Sequence, residues 1–333
     1  MNERRRALVG AGCACVCAFV PAGAKARTTA DGAFAFALIG DLPYNALEVR
    51  VLQAVFESFD RDLDFALHVG DIKASWEPCS DELLEARLRL LESCPVPLVY
   101  VPGDNEWTDC ARARAGHHDP RERLEWLRER AFGARASLPV HSKADAGNRL
   151  PALDGIERHC DRFADGLAEN LRWVRRAVRF VTVNLPGSNN GLNAYGLGRG
   201  DWERRVRANA QWLLDSYRVA ADEQAAAVVV VAHANPNFGA ATRSPWSIDG
   251  YASFRSSLVD ASNRFAGPTL FAHGDTHRHR VERITPKLLR VESHGSPFSD
   301  RWVRIDVAPR APQPFRITAR SARLGTREPL ALA

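Results

Sequence analysis

Lysine is nearly missing from this 333-residue chain: Lys25, Lys73, Lys143 and Lys287 are the only ones, and Arg supplies the other 41 of its 45 basic residues. Such a bias follows genome base composition more often than an Arg-specific function. Internal repeats and long low-complexity linkers are also missing, and 45% apolar with 26% charged residues is the balance of a soluble globular protein. Disorder, collagen-like repeats and a multi-span membrane protein are thereby excluded. There is no C-x-x-C or zinc-ribbon spacing, no P-loop and no G-x-S-x-G elbow. The Gly-rich stretch Gly191–Gly200 does not fit G-x-G-x-x-G between a strand and a helix, which sets aside a dinucleotide-binding reading. Strong net charge is lacking too: the +5 includes +3 from residues 1–26, leaving +2 for residues 27–333. No nucleic-acid surface is indicated.

Residues 1–26 read as a signal peptide. Arg4-Arg5-Arg6 precedes an uncharged stretch from Ala7 to Ala24, and Ala24-Lys25-Ala26 offers an A-x-A cleavage site. Pro21 and the Gly/Ala content make that stretch a poor bilayer span, so no membrane segment is expected beyond it. The paired arginines are also compatible with twin-arginine export. The expectation is an exported protein, periplasmic or secreted, with residues 27–333 as a single domain. Three of the seven cysteines lie in the signal; Cys79, Cys94, Cys110 and Cys160 remain, an even number that an oxidising compartment allows to pair.

The front half alternates apolar runs with helical patterns. Phe34–Gly40, Leu63–Val69 and Pro97–Val101 read as strands, and Ala46–Phe59 and Asp81–Leu91 as helices. Asp119-Pro120 caps a charged helix to about Phe132. Residues 133–168 read as a surface excursion. Strands follow at Leu171–Val174 and Val178–Leu185, then the loop Gly187–Gly191, a helix over Trp202–Ala221 and a β-branched strand at Ala226–His233. Thr269–Phe271 and several strands to residue 320 complete the chain. Strand–helix–strand order at this spacing predicts parallel pairing with helices on the sheet faces.

The informative residues stand where these strands end. Gly40-Asp41, Gly70-Asp71 and Gly103-Asp104-Asn105-Glu106 close the first three, His233 closes the β-branched run, and His273-Gly-Asp275-Thr-His277 closes the next. Ligands bind in the crevice beyond such ends, and Gly before Asp lets the backbone turn there. Each residue alone is an ordinary cap or turn former. Carboxylates and imidazoles converging from five strand ends are the donor set of a divalent metal site, suited to Mn, Fe, Zn or Ca. Cys79 and Cys110 each sit in the loop after one of these motifs, which points to a Cys79–Cys110 bridge among the three full pairings that four cysteines allow.

These blocks resemble the calcineurin-like metallophosphoesterases, ordered D-x-H, G-D-x-x, G-N-H-[DE], a lone H after a strand, and G-H-x-H. Here they stand as Asp41-Leu42-Pro43, Gly70-Asp71-Ile72-Lys73, Gly103-Asp104-Asn105-Glu106, His233 and Gly274-Asp275-Thr276-His277. Gly103 to Trp107 is similar to a divergent bacterial branch carrying G-D-N-E-W. The resemblance implies an α/β fold, a layered αββα sandwich with mixed sheets flanked by helices. It implies two divalent metal ions bridged by Asp71, one also held by Asp41 and His277, the other by Asp104, His233 and Asp275. Its implied catalytic set is Asn105, Asp71 and His233, and its implied activity is hydrolysis of a phosphomonoester or phosphodiester, small or polymeric, by metal-activated hydroxide. Pro43 and Asn105 stand where the family has histidines, and Asn can orient phosphate without acting as a general acid. His279 could replace the ligand lost at Pro43, and His117, His118 and His294 are replacement proton donors by composition. Asn189 and Asn190 are candidate phosphate contacts, with a plain turn as the rival reading. Glu106 is expected to orient the metal loop by a hydrogen bond, and Trp76, Trp107 and Trp246 to pack near it. The alternative is a catalytically weakened relative of the same fold that binds a metal or a phosphorylated or polyanionic ligand.

Overall fold

A computed structural model describes residues 32–132, 156–163, 166–239, 248–297, 299–322 and 328–329. The signal reading of 1–26, Trp246 and most of the 133–168 excursion lie outside the described residues.

Strand β1 (Phe34–Ile39) is apolar along its length and wholly buried, as a strand covered on both faces must be. Helix α1 (Ala46–Glu57) starts at Asn45, whose side chain accepts from the Leu47 and Glu48 amides, and it buries Leu52, Val55 and Phe56. β2 (Phe65–His68) leads to α2 (Asp81–Glu92), capped by Ser80, and then to β3 (Leu98–Tyr100). α3 (Pro120–Leu127) begins at the Asp119 cap and continues as a π-turn over Arg128–Phe132. The second half runs β4 (Glu157–Arg158), α4 (His159–Arg162), β5 (Leu171–Arg175), β6 (Val178–Thr182), α5 (Gly187–Asn190), α6 (Arg199–Asp222) and β7 (Ala227–Val231). It ends with α7 (Ala252–Arg264), β8 (Thr269–His273), β9 (Arg280–Thr285), β10 (Leu288–Glu292), β11 (Arg301–Val307), β12 (Phe315–Ser321) and β13 (Glu328–Pro329). α7 is absent from the elements read off the sequence; its apolar stripe is short, with Phe254, Leu258 and Ala261 buried among serines and arginines.

Two mixed sheets result. One has the order β13-β12-β11-β1-β2-β3, the other β4-β5-β6-β7-β8-β10-β9. β1, β2 and β3 are parallel neighbours, as are β6, β7, β8 and β10, while β11 runs antiparallel to β1. The sheets meet through aromatic rings: Phe180 packs edge-on to Phe36 and Phe65, with centroids 5.4 and 5.2 Å away. Each such ring is worth about 3–5 kcal/mol against Ala. β7 shows the period of two that builds the layers: Val229 and Val231 join the core between the sheets, while Val228 and Val230 pack with Trp212, Leu213, Phe254 and Leu258 of α6 and α7. Leu52 and Phe56 of α1 and Leu84 and Leu88 of α2 close the core on the other side. The architecture is the αββα sandwich expected, with both sheets mixed.

Cys79 and Cys110 form a disulfide with Cα atoms 5.6 Å apart, while Cys94 is a buried and Cys160 an exposed free thiol. Among the described residues no helix is long and apolar enough to cross a membrane.

Candidate metal centre

The parallel strands of both sheets end in one crevice; backbone bonds join neighbouring strand ends within each sheet, and the Asp41 carboxylate ties one sheet to the other. The Asp41 amide donates to Gly70 O at 2.9 Å, and the Gly274 amide to His233 O at 2.8 Å. The Asp275 amide donates to both Asp41 oxygens, at 2.9 and 3.1 Å. The division of labour within the Gly-Asp pairs differs from expectation. Gly70 has φ 89°, but several of the ligand-type residues are themselves left-handed: Asp41 has φ 55°, Asp71 57°, Asp275 82° and His277 59°. Asp and His tolerate that region better than most side chains. Gly103 serves by its size, because a Cβ there would lie 2.1 Å from Asp71 Oδ1.

Two sets of ligand atoms result, each within 4.8 Å: Asp41, Asp71 and His277, and Asp71, Asp104 and His233. Asp71 is common to both. Asp275 lies at the margin, its Oδ1 4.0 Å from His233 Nε2 and its Oδ2 accepting from the Asn235 amide at 3.0 Å, so it is outside the two sets. His233 Nδ1 lies 2.6 Å from Val69 O, which fixes the proton on Nδ1 and turns Nε2 toward Asp104 Oδ1 at 2.9 Å. Among the described residues no Lys or Arg lies within ion-pair distance of Asp41, Asp71 or Asp104. Buried carboxylates without a Lys or Arg partner, facing an imidazole nitrogen whose partner nitrogen is pinned, fit divalent ions.

The electrostatics of the metal-free protein follow from that. Burial pushes Asp41 up to about 8, against the pull of His233. Burial likewise holds Asp71 well above the carboxylate range, and raises Asp275 to about 6 and Asp109 to about 7. Burial alone would lower His233, but Asp71, Asp104 and Asp41 outweigh it and hold the imidazolium well above its usual value. Asp104 ends below the usual range; burial would raise it, but its hydrogen bond and charge contact with His233 prevail. The signs predict a pH window. An acid with a raised folded pKa keeps its proton when folded and loses it when unfolded, so stability falls as pH rises toward the folded pKa. His68, His273 and His294, lowered by burial to about 4, 3 and 3, act oppositely but only below the unfolded histidine value of 6.5. Thermal melts of chelator-treated protein should therefore show stability falling from pH 6.5 to 8, by about 1 kcal/mol per pH unit for an acid that, like Asp41, stays protonated in the folded chain across that range. Flat melting temperatures across that range would refute the electrostatic account.

Side chains around the ligands hold them in place, and one of them was not foreseen. Tyr44, buried beside Pro43, donates its hydroxyl to Asp71 Oδ2 at 2.7 Å and lies 3.1 Å from His277 Nε2. The sequence signal was slight, an aromatic residue three places after Asp41. Replacing it, Tyr44→Phe, is expected to weaken metal affinity about 10–100-fold with the fold intact, as read by metal titration and circular dichroism. Glu106 Oε1 accepts from the amides of Asp71 and Gly103, at 3.1 and 2.7 Å, and from Tyr100 OH at 2.6 Å, which is the orienting bond expected of it. Asn105 Nδ2 donates to Asp71 Oδ2 at 2.6 Å, with Lys73 O at 3.0 Å and Tyr44 OH at 3.2 Å also in reach. Its amide hydrogens thus go to protein acceptors, and it positions Asp71.

The remaining expectations fall outside the metal groups. Asn189 bonds Ile248 O and the Gly250 amide, and Asn190 bonds Gly250 O, so both hold the 187–191 turn against residues 248–250. His279 Nδ1 lies 2.7 Å from Glu292 O and its ring stacks on His294 at 4.2 Å. Neither belongs to the ligand sets, and burial makes His294 a neutral ring near pH 7. His117 is exposed on the surface, and His118 is tied through its amide to Cys110 O. Trp107 is buried, while Trp76 is 57% exposed and packs edge-on to Tyr44.

Two stacked mixed sheets with acids and imidazoles converging beyond their parallel strand ends are the fold of the calcineurin-like metallophosphoesterases. Solved structures of that fold include a dimetal phosphatase from Danio rerio, at 14% identity and TM-score 0.50, covering 89% of this chain and 96% of that one. They also include GAP50, the anchor in the inner membrane complex of Plasmodium, at 11% identity and TM-score 0.51, covering 90% and 89%. No protein-family model and no curated protein matches the sequence. At these identities the likeness is one of fold.

Proposed function

We propose that this chain is an exported, metal-dependent phosphoesterase acting on a phosphomonoester or phosphodiester. The observation that carries the reading is Asp71, a buried carboxylate common to two Asp–His ligand groups. Divalent ions held there would supply a Lewis acid and a lowered pKa for water. Asp41 and His277 would hold one ion and Asp104 and His233 the other, while Tyr44 and Asn105 keep Asp71 turned to both. Asn105 has no acidic proton to give a departing alkoxide, so esters with good leaving groups are favoured. Export is supported by the signal-like residues 1–26 and by the Cys79–Cys110 bridge, which an oxidising compartment sustains.

A second reading, a metal- or phosphate-binding protein of weakened activity, is favoured by Asn105 and by the fact that a neighbour of this fold is named as an anchor. Manganese-loaded protein assayed on aryl and alkyl phosphate esters separates the two. The hydrolase reading expects turnover of an aryl mono- or diester, lost with chelator and restored by metal, and alkyl esters slower by roughly 10²-fold. Full hydrolysis by metal-free protein would overturn it, and two bound ions without turnover of any ester would leave the binding reading.

A further inference from the structure

We propose that the cavity enclosed by α3, α4 and α6 is a second binding site, for an organic anion: a phosphate or carboxylate carried on an apolar group. The cavity has a volume of about 920 Å³ and includes none of the metal-site residues in its walls. That size is ordinary for a small-molecule site. Trp107, Leu124, Phe163, Leu167 and Leu197 give it an apolar lining. Six guanidinium groups, those of Arg121, Arg128, Arg162, Arg204, Arg205 and Arg207, face only two lining carboxylates, Glu125 and Asp201.

Four of these arginines are neutralised within the protein. Arg121 and Arg204 share Asp201, Arg128 grips Glu169 through two bonds of 2.8 and 3.0 Å, and Arg162 lies 3.0 Å from Glu157. The other two are not. Arg207 is exposed and meets no carboxylate among the described residues. Arg205 is only 5% exposed, with its Cζ 5.3 Å from the centre of the Trp107 ring; it bonds the backbone oxygen of Asn190 and leaves Nε without a partner. A guanidinium removed from water with no carboxylate at ion-pair distance is unfavourable, and an entering anion relieves that. Burial draws the Arg205 pKa down to about 10, which still leaves a full cation at neutral pH.

A second buried donor points to the same ligand. His159, 1% exposed, accepts the Leu167 amide on Nδ1 at 2.9 Å, so its proton sits on Nε2, and Nε2 has no partner. Two lining residues, Arg205 and His159, thus each keep a buried N–H without a partner just behind the cavity wall, beside apolar surface that would hold the body of the ligand.

The test titrates full-length, chelator-treated protein with naphthalene carboxylate, naphthyl phosphate and the uncharged naphthalene methanol by calorimetry. Equimolar binding of at least one anion is expected, tighter than the alcohol by about tenfold or more, and for the carboxylate, which has no ester bond to hydrolyse, unchanged when metal is restored. Whether carboxylate or phosphate binds more tightly tells the two head groups apart. Ala208→Glu adds bulk and negative charge to the α6 wall and should weaken the anion about tenfold or more, and Arg207→Ala about threefold. Both sit on the partly exposed side of a helix that tolerates either residue, so they stand in for the riskier Arg205→Leu. Equal binding of the alcohol, indifference to Ala208→Glu, or binding that requires metal would each overturn the proposal.

Discussion

Asp71→Asn is expected to abolish phosphoester hydrolysis, by roughly 10³-fold or more, and to lower the bound metal from two equivalents to one or none. Asp71 is the carboxylate that both ligand groups contain, so its loss weakens two sites at once. Asn keeps the volume but offers one acceptor oxygen, whereas Asp71 receives the Tyr44 hydroxyl and the Asn105 side chain on Oδ2 and the Asn105 amide on Oδ1. The same variant should make the pH dependence of metal-free stability shallower, because one of the buried acids with a raised pKa is gone. Metal analysis, a turnover assay and melts at several pH values read the three effects. Retained turnover with a full metal complement would remove Asp71 from the centre.

Gly103→Ala should be nearly as damaging although it changes no ligand. The added Cβ would lie 2.1 Å from Asp71 Oδ1 and 2.4 Å from the Asp71 backbone nitrogen, closer than carbon packs against either. Backbone cannot yield as a flexible side-chain tip does, so the loop bearing Asp104 must move away from the one bearing Asp71. A stability loss of about 1–3 kcal/mol is expected, with activity down about 10²-fold, since small misplacements at a reacting centre have effects of that size. Gly200→Ala is the control: nothing lies within 4 Å of its new Cβ, and in the first turn of α6 it should leave the melting temperature unchanged or raise it slightly. If Gly103→Ala melts and turns over like Gly200→Ala, the close packing of the two loops does not matter.

Some of the centre was legible before any coordinates because its residues are bound to local pattern. Apolar runs at Phe34, Leu63 and Pro97 mark strands, and the acids that follow each run sit at the mouth of a parallel sheet by necessity. Gly-Asp pairs drew attention to the turns, but the sequence cannot say which partner takes the left-handed backbone; at Asp41 it is the acid, while at Gly70 both residues do. Asn105 was visible as a departure from the family pattern, and only its contacts show that its amide is engaged with Asp71. Tyr44 carries no motif that would have singled it out, because its role comes from a hydroxyl reaching Asp71 and His277, residues 27 and 233 positions away.

Helix α6 gives the sharpest case. Arg204, Arg205 and Arg207 are interchangeable as letters in a charged amphipathic helix. Their surroundings separate them: Arg204 pairs with Asp201 at the surface, Arg207 is exposed at the cavity without a carboxylate partner, and Arg205 is buried over Trp107 without one. The sequence by itself determined the first strands and helices and the order in which Asp and His reach the strand ends, since periods of 2 and 3.6 and the turn residues are local properties of the chain, while the αββα class was implied by the resemblance of its motifs. The tertiary structure alone decided which of those side chains share a metal group, which asparagines brace a turn, and which buried arginine has no carboxylate at ion-pair distance. Such matters depend on sheet register and on the packing of one sheet against another, which bring Asp41 to His277 and Trp107 to Arg205 across stretches of sequence that no local period spans.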